Sequence, residues 1–466
     1  MQKGGQSGLF ARRKTEHPDT DPVPLVTFAD RCSSYLRKAD HSFDPQSPHV
    51  TALRHAALAA LAATALLAGC ADPTGPADPI DTLPRALSES EQRLIAAGNS
   101  FALDLLRQVY SANPDSTVFL SPLSASMALG MTMNGTAGTT LDQMRATLGF
   151  GSLPMGEVNA SYEGLIELLR GLDPRVDFRL ANALFHRTGF QMEQPFLDAA
   201  RGHFDAEVRG LDFSQAAAAE TINDWVRAST QGRIDRMVEP PIDPATVAFL
   251  MNAIYFKGDW TSEFDPEDTR SAPFRLLDGS TRPVQLMSVT DSLGHRSGDG
   301  WVAAEVPYGG GAWVMTVAVP TDQRGLTAVV GDLETILDPE AAWPRGPVDL
   351  FLPRFELEWE RQLNGDLQAL GMVDAFDDGR ADFTPMYRRA REDGLHIERV
   401  KQKSFLKVDE KGTEAAAVTS VEITVVCACP PTRFTVRADR PFLLAIRERL
   451  SGTVLFAGLI VQAPQD

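Results

Sequence analysis

Residues 408–431 read VDEKGTEAAAVTSVEITVVCACPP, and this stretch decides the fold. Taking every second residue from Thr413 gives Thr413, Ala415, Ala417, Thr419, Val421, Ile423 and Val425. The opposite parity reads Glu414, Ala416, Val418, Ser420, Glu422 and Thr424. A period of two thus separates a small-then-apolar set from a set that holds both carboxylates, the signature of a strand with one face made for burial. The leading Gly-Thr-Glu-Ala-Ala-Ala run is small enough to slip between two packed strands. Burying Val421, Ile423 and Val425 would release about 5–9 kcal/mol, at about 1.5–3 kcal/mol each.

Working outward, the whole chain has 466 residues, with 44 Lys and Arg against 62 Asp and Glu, a formal net charge of −18. Its 43% apolar and 23% charged residues are those of a globular protein large enough to enclose a core without staples. The acidic excess argues against nucleic acid, which needs clustered Lys and Arg. The four cysteines, Cys32, Cys70, Cys427 and Cys429, form neither a disulfide scaffold nor a zinc pattern, and neither a metal nor another cofactor is expected.

Residues 1–49 are polar and without periodicity, and read as a disordered leader or as residues upstream of the true start. Residues 50–69 have a short basic beginning (Arg54, His55), an apolar run from Ala56 and a small-residue end, the three parts of a secretory signal. The run is too short for a stable membrane span. Leu67-Ala68-Gly69-Cys70 resembles a bacterial lipoprotein box, which implies lipidation at Cys70, secretion and anchoring to the cell envelope. Residues 70–85 read as a Pro/Gly/Asp tether, and residues 86–466 as one domain.

Within that domain, SEQRLIAAGNSFALDLLRQVY carries helical spacing behind a Ser88/Glu91 capping box. Further helices are predicted from Ser121-Pro122 and over AAAAETINDWVRAST. Strand-like runs follow: VAFLMNAIYF, WVMTVAVP, VDLFLPRFEL, SFLKVDE, FTVRA, FLLAIRER and TVLFAGLIV. Helices first and strands later, without βαβ alternation, predict an α+β fold with large antiparallel sheets. No GxSxG elbow, HExxH helix, P-loop or GxGxxG is present. The SxxK string Ser404–Lys407 lies in an alternating run, which puts its serine and lysine on opposite faces. An enzyme is therefore not expected. Arg388, Arg389 and Arg391 read as a solvated loop.

The hinge Glu410-Lys411-Gly412-Thr413-Glu414-Ala415-Ala416-Ala417 closely matches the EEGTEAAA of the serpins, protease inhibitors with a mobile reactive-centre loop. Seven more motifs follow in family order: FLSPLS (119–124), NGTAGT (134–139), NAIYFKGDW (252–260), LPRF (352–355), LGM (370–372), ADF (381–383) and ADRPF (438–442). The chain resembles a serpin over roughly residues 86–466. The resemblance implies helices plus three β-sheets with an exposed loop, and irreversible inhibition of serine endopeptidases. There the cut loop inserts into the central sheet and traps the acyl-enzyme. The alternative is a non-inhibitory serpin that acts as a cell-surface binding protein.

Counting Glu410 as the seventeenth residue before the scissile bond places that bond at Val426-Cys427, and counting from the prolines places it at Cys427-Ala428. A Val426 side chain suits an elastase-like or subtilisin-like protease, met by a monomeric inhibitor. Cys427 and Cys429 are too close for an unstrained disulfide in an extended strand and are expected to be oxidisable thiols. By the same resemblance, Ser121, Ser124 and Asn252 form a polar latch beneath the sheet. Gln402 stands there where the family often has a histidine, and Trp260 marks the point where insertion begins.

Overall fold

Ser88 opens the first helix as its sequence predicts: its Oγ accepts from the Glu91 N–H at 3.2 Å and the Glu91 carboxylate accepts from the Ser88 N–H at 2.7 Å. This helix, α1 (Glu89–Ala112), buries Leu94, Phe101, Leu105 and Val109 along one stripe. The computed structural model describes residues 79–413 and 433–463. Residues 1–78, which include the segment expected to be a signal, Cys70 and most of the expected 70–85 tether, lie outside the described residues. The tether's last residues pack on the body, where Ile80 N–H donates to Gly310 O at 2.8 Å and Arg85 pairs with Glu91.

After β1 (Val118–Leu120), Pro122 occupies the first turn of α2 (Pro122–Met133), where its missing N–H costs nothing. Then come α3 (Gly138–Thr147), α4 (Met155–Leu169), β2 (Val176–Arg187), α5 (Gln194–Phe204), β3 (Ala206–Leu211), α6 (Ala216–Ser229) and β4 (Ala248–Asp259). A hairpin-rich half follows: β5 (Arg270–Arg275), β6 (Thr281–Gly298), β7 (Trp301–Tyr308), β8 (Trp313–Pro320), then α7 (Leu326–Gly331) and α8 (Leu333–Ile336). The remainder is β9 (Arg345–Pro353), β10 (Phe355–Gln362), α9 (Asn364–Ala369), β11 (Lys401–Val408), β12 (Gly412–Thr413), β13 (Phe434–Arg437), β14 (Phe442–Glu448) and β15 (Val454–Ile460).

Among the described residues these strands form three sheets. Nine strands make the largest, in the order β1-β15-β14-β8-β7-β6-β9-β13 with β5 beside β6. Four make a second, β12-β4-β2-β3, and β10 pairs with β11 alone. The α+β class with three sheets is as expected. The run VDLFLPRFEL, expected as one strand, divides at Arg354 into β9 and β10, which serve different sheets. Pro353 ends the first ladder and the Arg354 N–H turns aside to Gln285 O at 2.8 Å. Strands β1, β2, β3, β5, β6 and β7 are not among the expected runs: β1 is three residues long, and charged residues interrupt the others.

The main core lies under the sheets. A second, smaller cluster joins Ile222 and Val226 of α6 and Val238 beyond it to Ala183 and Phe185 of β2 and Met251 of β4. That cluster makes α6 and the two strands a unit.

Candidate functional site

The hinge is built from a turn. Asp409 Oδ1 accepts from the N–H groups of Lys411 (3.0 Å) and Gly412 (3.2 Å), while the Asp409 N–H donates to Gly412 O at 2.9 Å. Glu410 is buried, and its Oε1 accepts from Thr269 Oγ1 at 2.7 Å and pairs with Arg354 at 3.3 Å. The chain then enters the four-stranded sheet: Gly412 faces Asp259 and Thr413 faces Gly258, antiparallel to β4. Only glycine fits at 412, since a Cβ there would lie 2.3 Å from Gly258 O and 2.6 Å from Asp259 Cα. Thr413 is 4% exposed, with Oγ1 3.0 Å from the Tyr308 hydroxyl. Gly412 and Thr413 are both buried, and the alternation expected beyond them lies outside the described residues.

Trp260 covers this entrance. Its ring stacks on Tyr308 with centroids 4.4 Å apart, its Nε1 donates to Asp409 O at 2.9 Å, and its backbone N–H donates to Lys411 O at 2.7 Å. Burial pushes the Tyr308 phenol far above its usual range, so it stays a neutral hydrogen-bonding group. Asp259 is also raised, chiefly by burial.

Below the hinge, no ladder joins β4 to β11 among the described residues; β11 pairs with β10 and β4 pairs with β2. A cleft runs between them, lined by residues 251–256 of β4, residues 403–407 of β11 and Thr413. At its base the latch residues come together. Gln402 Nε2 donates to Ser121 O at 2.7 Å, and its Oε1 accepts from the Ser121 N–H at 3.2 Å. Ser121 Oγ donates to Leu455 O at 3.0 Å, and Ser124 Oγ to Asn252 O at 3.3 Å. Asn252 Nδ2 donates to Asn182 Oδ1 at 2.8 Å, and Asn182 Nδ2 to Phe204 O at 2.7 Å. Both strands are thus tied to the start of α2, β11 through Gln402 and Ser121 and β4 through Asn252 and Ser124. Asn252 Oδ1 and Ser404 Oγ are buried without a hydrogen-bond partner among the described residues.

Sequence reading missed Asn182 and Tyr308. The signal for Asn182 was a buried-parity amide inside the apolar run LANALF; Tyr308 had none, because only the fold brings β7 under the hinge. Ser404 and Lys407 point to opposite faces, the serine buried and the lysine paired with Glu356 at 2.9 Å, so they form no catalytic pair. Arg388, Arg389 and Arg391 are each paired with carboxylates, Glu193, Glu392 and Asp382 among them. Among the described residues no group of three His, Cys, Asp or Glu could hold a metal, and no helix is long and apolar enough to cross a membrane. Glu414, Ala415, Ala416, Ala417, Val426, Cys427, Ala428 and Cys429 lie outside the described residues.

Comparison with known proteins agrees with this geometry. The family model described as Serpin (serine protease inhibitor) matches residues 96–463. Human leukocyte elastase inhibitor is 33% identical over 384 residues, covering 79% of this chain and 98% of its own. Bovine serpin B6 is 35% identical over 387 residues, covering 78% and 98%. Among solved structures, human thyroxine-binding globulin complexed with thyroxine superposes with a TM-score of 0.71 at 28% identity, covering 81% of this chain and all of that one. The native state of the thermophilic serpin tengpin gives 0.70 at 26% identity, covering 81% and 95%.

Proposed function

The chain belongs to the serpin family, and on that premise we propose that it is an irreversible suicide-substrate inhibitor of serine endopeptidases. The observation that supports this reading is the seated hinge: Gly412 and Thr413 pair with β4 at the mouth of a cleft between β4 and β11, which do not pair with each other among the described residues. A protease serine attacks the Val426 carbonyl carbon, forming an ester to the loop while the Cys427 amine leaves with the C-terminal segment. The loop from Thr413 to Val426 is fourteen residues. Extended, it spans about 46 Å, against about 40 Å for the twelve residues of β4, so an attached protease is carried the length of the sheet. Ester hydrolysis is outrun when the inserted strand gains its ladder and buries Val421, Ile423 and Val425. Asn252 Oδ1 and Ser404 Oγ line the cleft where an added strand's polar groups would run.

Val426 suits a small apolar specificity pocket, and an elastase-like or subtilisin-like enzyme is the proposed target; cleavage at Cys427-Ala428 is the alternative register. Secretion as a lipoprotein held to a bacterial cell envelope through Cys70 is part of the same reading. The fold is shared with a thyroxine-binding globulin, so fold alone does not separate an inhibitor from a binding protein; the small-residue hinge favours the inhibitor.

The test is incubation with pancreatic elastase and with subtilisin. The expected result is an SDS-stable complex, release of a fragment beginning at Cys427, and a large rise in melting temperature after loop cleavage. Cleavage without a complex would instead support the non-inhibitory, surface-binding alternative. Membrane fractionation and N-terminal mass analysis test the anchor, and any peptide from residues 1–49 in the mature protein would overturn it.

A further inference from the structure

We propose that residues 80–85, which precede α1, are a clasp that positions the hinge through the turn between β7 and β8; this deepens the inhibitory reading and rests on it. The segment lies ahead of residue 96, where the family match begins, and so outside the stretch matched by the family model. It is docked at both ends. The Ile80 N–H donates to Gly310 O at 2.8 Å, and Ile80 O accepts from Arg449 Nη2 at 2.8 Å, so this residue is held from both sides of its backbone. Asp81 Oδ1 lies 3.2 Å from the same guanidinium nitrogen. Further on, Arg85 grips the Glu91 carboxylate through both terminal nitrogens, at 2.8 and 2.6 Å, and donates to Gly164 O at 2.8 Å. Between these points Ile80 and Leu83 rest partly buried on the main core.

The turn that receives the segment is three consecutive glycines, Gly309, Gly310 and Gly311, the first and last at φ 50° and 85°. Glycines carry no side chains to fix a turn, so its shape depends on partners from elsewhere. Gly310 is buried, and a Cβ on it would lie 2.8 Å from Ile80 Cδ1 and 3.0 Å from Asp173 Oδ2. The buried Asp173 carboxylate accepts from the Gly310 N–H at 2.5 Å. Arg449 donates to Gly311 O through Nε at 2.6 Å and to Ala312 O through its backbone N–H at 2.8 Å. One guanidinium thus fastens Ile80 and the turn to each other.

The same turn backs the hinge. The Gly309 N–H donates to Asp259 O at 2.8 Å, and Thr261 Oγ1 donates to Gly309 O at 3.0 Å. Asp259 faces Gly412 across the pairing of β4 with β12, and Tyr308, covalently next to Gly309, holds Thr413 Oγ1 at 3.0 Å. Three backbone contacts therefore lead from the clasp to the hinge: Ile80 to Gly310, Gly309 to Asp259, and Asp259 to Gly412. At about 5 Å between paired backbones, Ile80 lies within ~15 Å of Gly412. Undocking the segment frees the glycine turn and loosens Tyr308 and Asp259, the two residues on which the hinge is seated.

The test uses the full chain and reads the hinge directly, by hydrogen exchange of the backbone amides at 308–312 and 410–413. Ile80→Pro removes the N–H that reaches Gly310. Arg449→Lys keeps the positive charge beside Glu448 but not the fork that spans Gly311 O and Ile80 O. Ile80→Val keeps every backbone bond and is the control. The first two substitutions are expected to speed exchange at both stretches about two- to tenfold, the effect of one net hydrogen bond, with β15 unchanged and the valine variant like wild type. With subtilisin or pancreatic elastase, the same two variants should lower the ratio of complex to cleaved inhibitor by a similar factor. Unchanged exchange at 410–413, or an equal acceleration in β15, would overturn the clasp. If wild-type protein forms no complex with either protease, the inhibitory reading fails; the exchange series then decides the clasp alone.

Discussion

Replacing Gly412 with alanine attacks the hinge at its tightest point. The added Cβ meets two backbone atoms of β4, Gly258 O at 2.3 Å and Asp259 Cα at 2.6 Å. Strand β4 cannot yield, because it is paired with β2 over eleven positions. A tolerable contact needs β12 to move away by about 1 Å. That displacement breaks the pairing of Gly412 with Asp259 and of Thr413 with Gly258, and draws Thr413 Oγ1 off the Tyr308 hydroxyl. Three hydrogen bonds at about 1 kcal/mol each amount to about 3 kcal/mol. If they form before the rate-limiting stage of insertion, insertion slows about 100-fold. Acylation at Val426 lies fourteen residues along the loop and is untouched. On the inhibitory reading the trapped ester then has time to hydrolyse, and the variant behaves as a substrate. Titration of a fixed amount of protease, read by residual activity and SDS gel, checks this. A Gly412→Ala protein that folds and inhibits at the wild-type stoichiometry would refute the reasoning about the hinge.

Three further outcomes follow from the same geometry. Tyr308→Phe leaves the buried Thr413 hydroxyl unpaired and should cost about 1–3 kcal/mol of hinge seating, which Thr413→Val in the same chain largely restores; complex yield across the four proteins reads this coupling. Burial raises the Asp259 carboxyl, so its contribution to stability is present when protonated, below the ordinary value of 3.8, and is lost as pH rises. Asp259→Asn should therefore melt higher than wild type at pH 7, with the gap shrinking as pH falls toward the ordinary value of 3.8. Arg447 is 2% exposed, pairs with Glu305 and lies over the Trp343 ring. Arg447→Met strands a carboxyl that burial already pushes up, and should cost about 3–5 kcal/mol in urea unfolding at neutral pH and less in acid, where Glu305 takes a proton.

Much of the site was legible because it depends on local chemistry. The hinge announced itself through small residues at period two, and Thr413 takes the buried side that period assigns it. The Ser88 cap, the Pro122 helix start and the opposite faces of Ser404 and Lys407 needed only spacing. Gln402, Ser121 and Asn252 came from motif resemblance, and the structure adds what they bond. What was not legible involves partners far apart in sequence: Tyr308 under Thr413, Thr269 and Arg354 on Glu410, Asn182 behind Asn252, and Ile80 on Gly310.

The sequence by itself determined that a run with the period-two pattern of a half-buried strand lies near the C-terminus and that an α+β body precedes it. Those properties reside in residue type and periodicity, which act over a few residues. Only the tertiary structure decided that Gly412 and Thr413 pair with β4 beside β11, because β4 and β11 are about 150 residues apart in the chain. The close fit at Gly412 and the hydrogen bonds that tie β4 and β11 to the start of α2 depend on distances between elements far apart in the chain. Such distances follow from how the layers pack, and no local pattern encodes them.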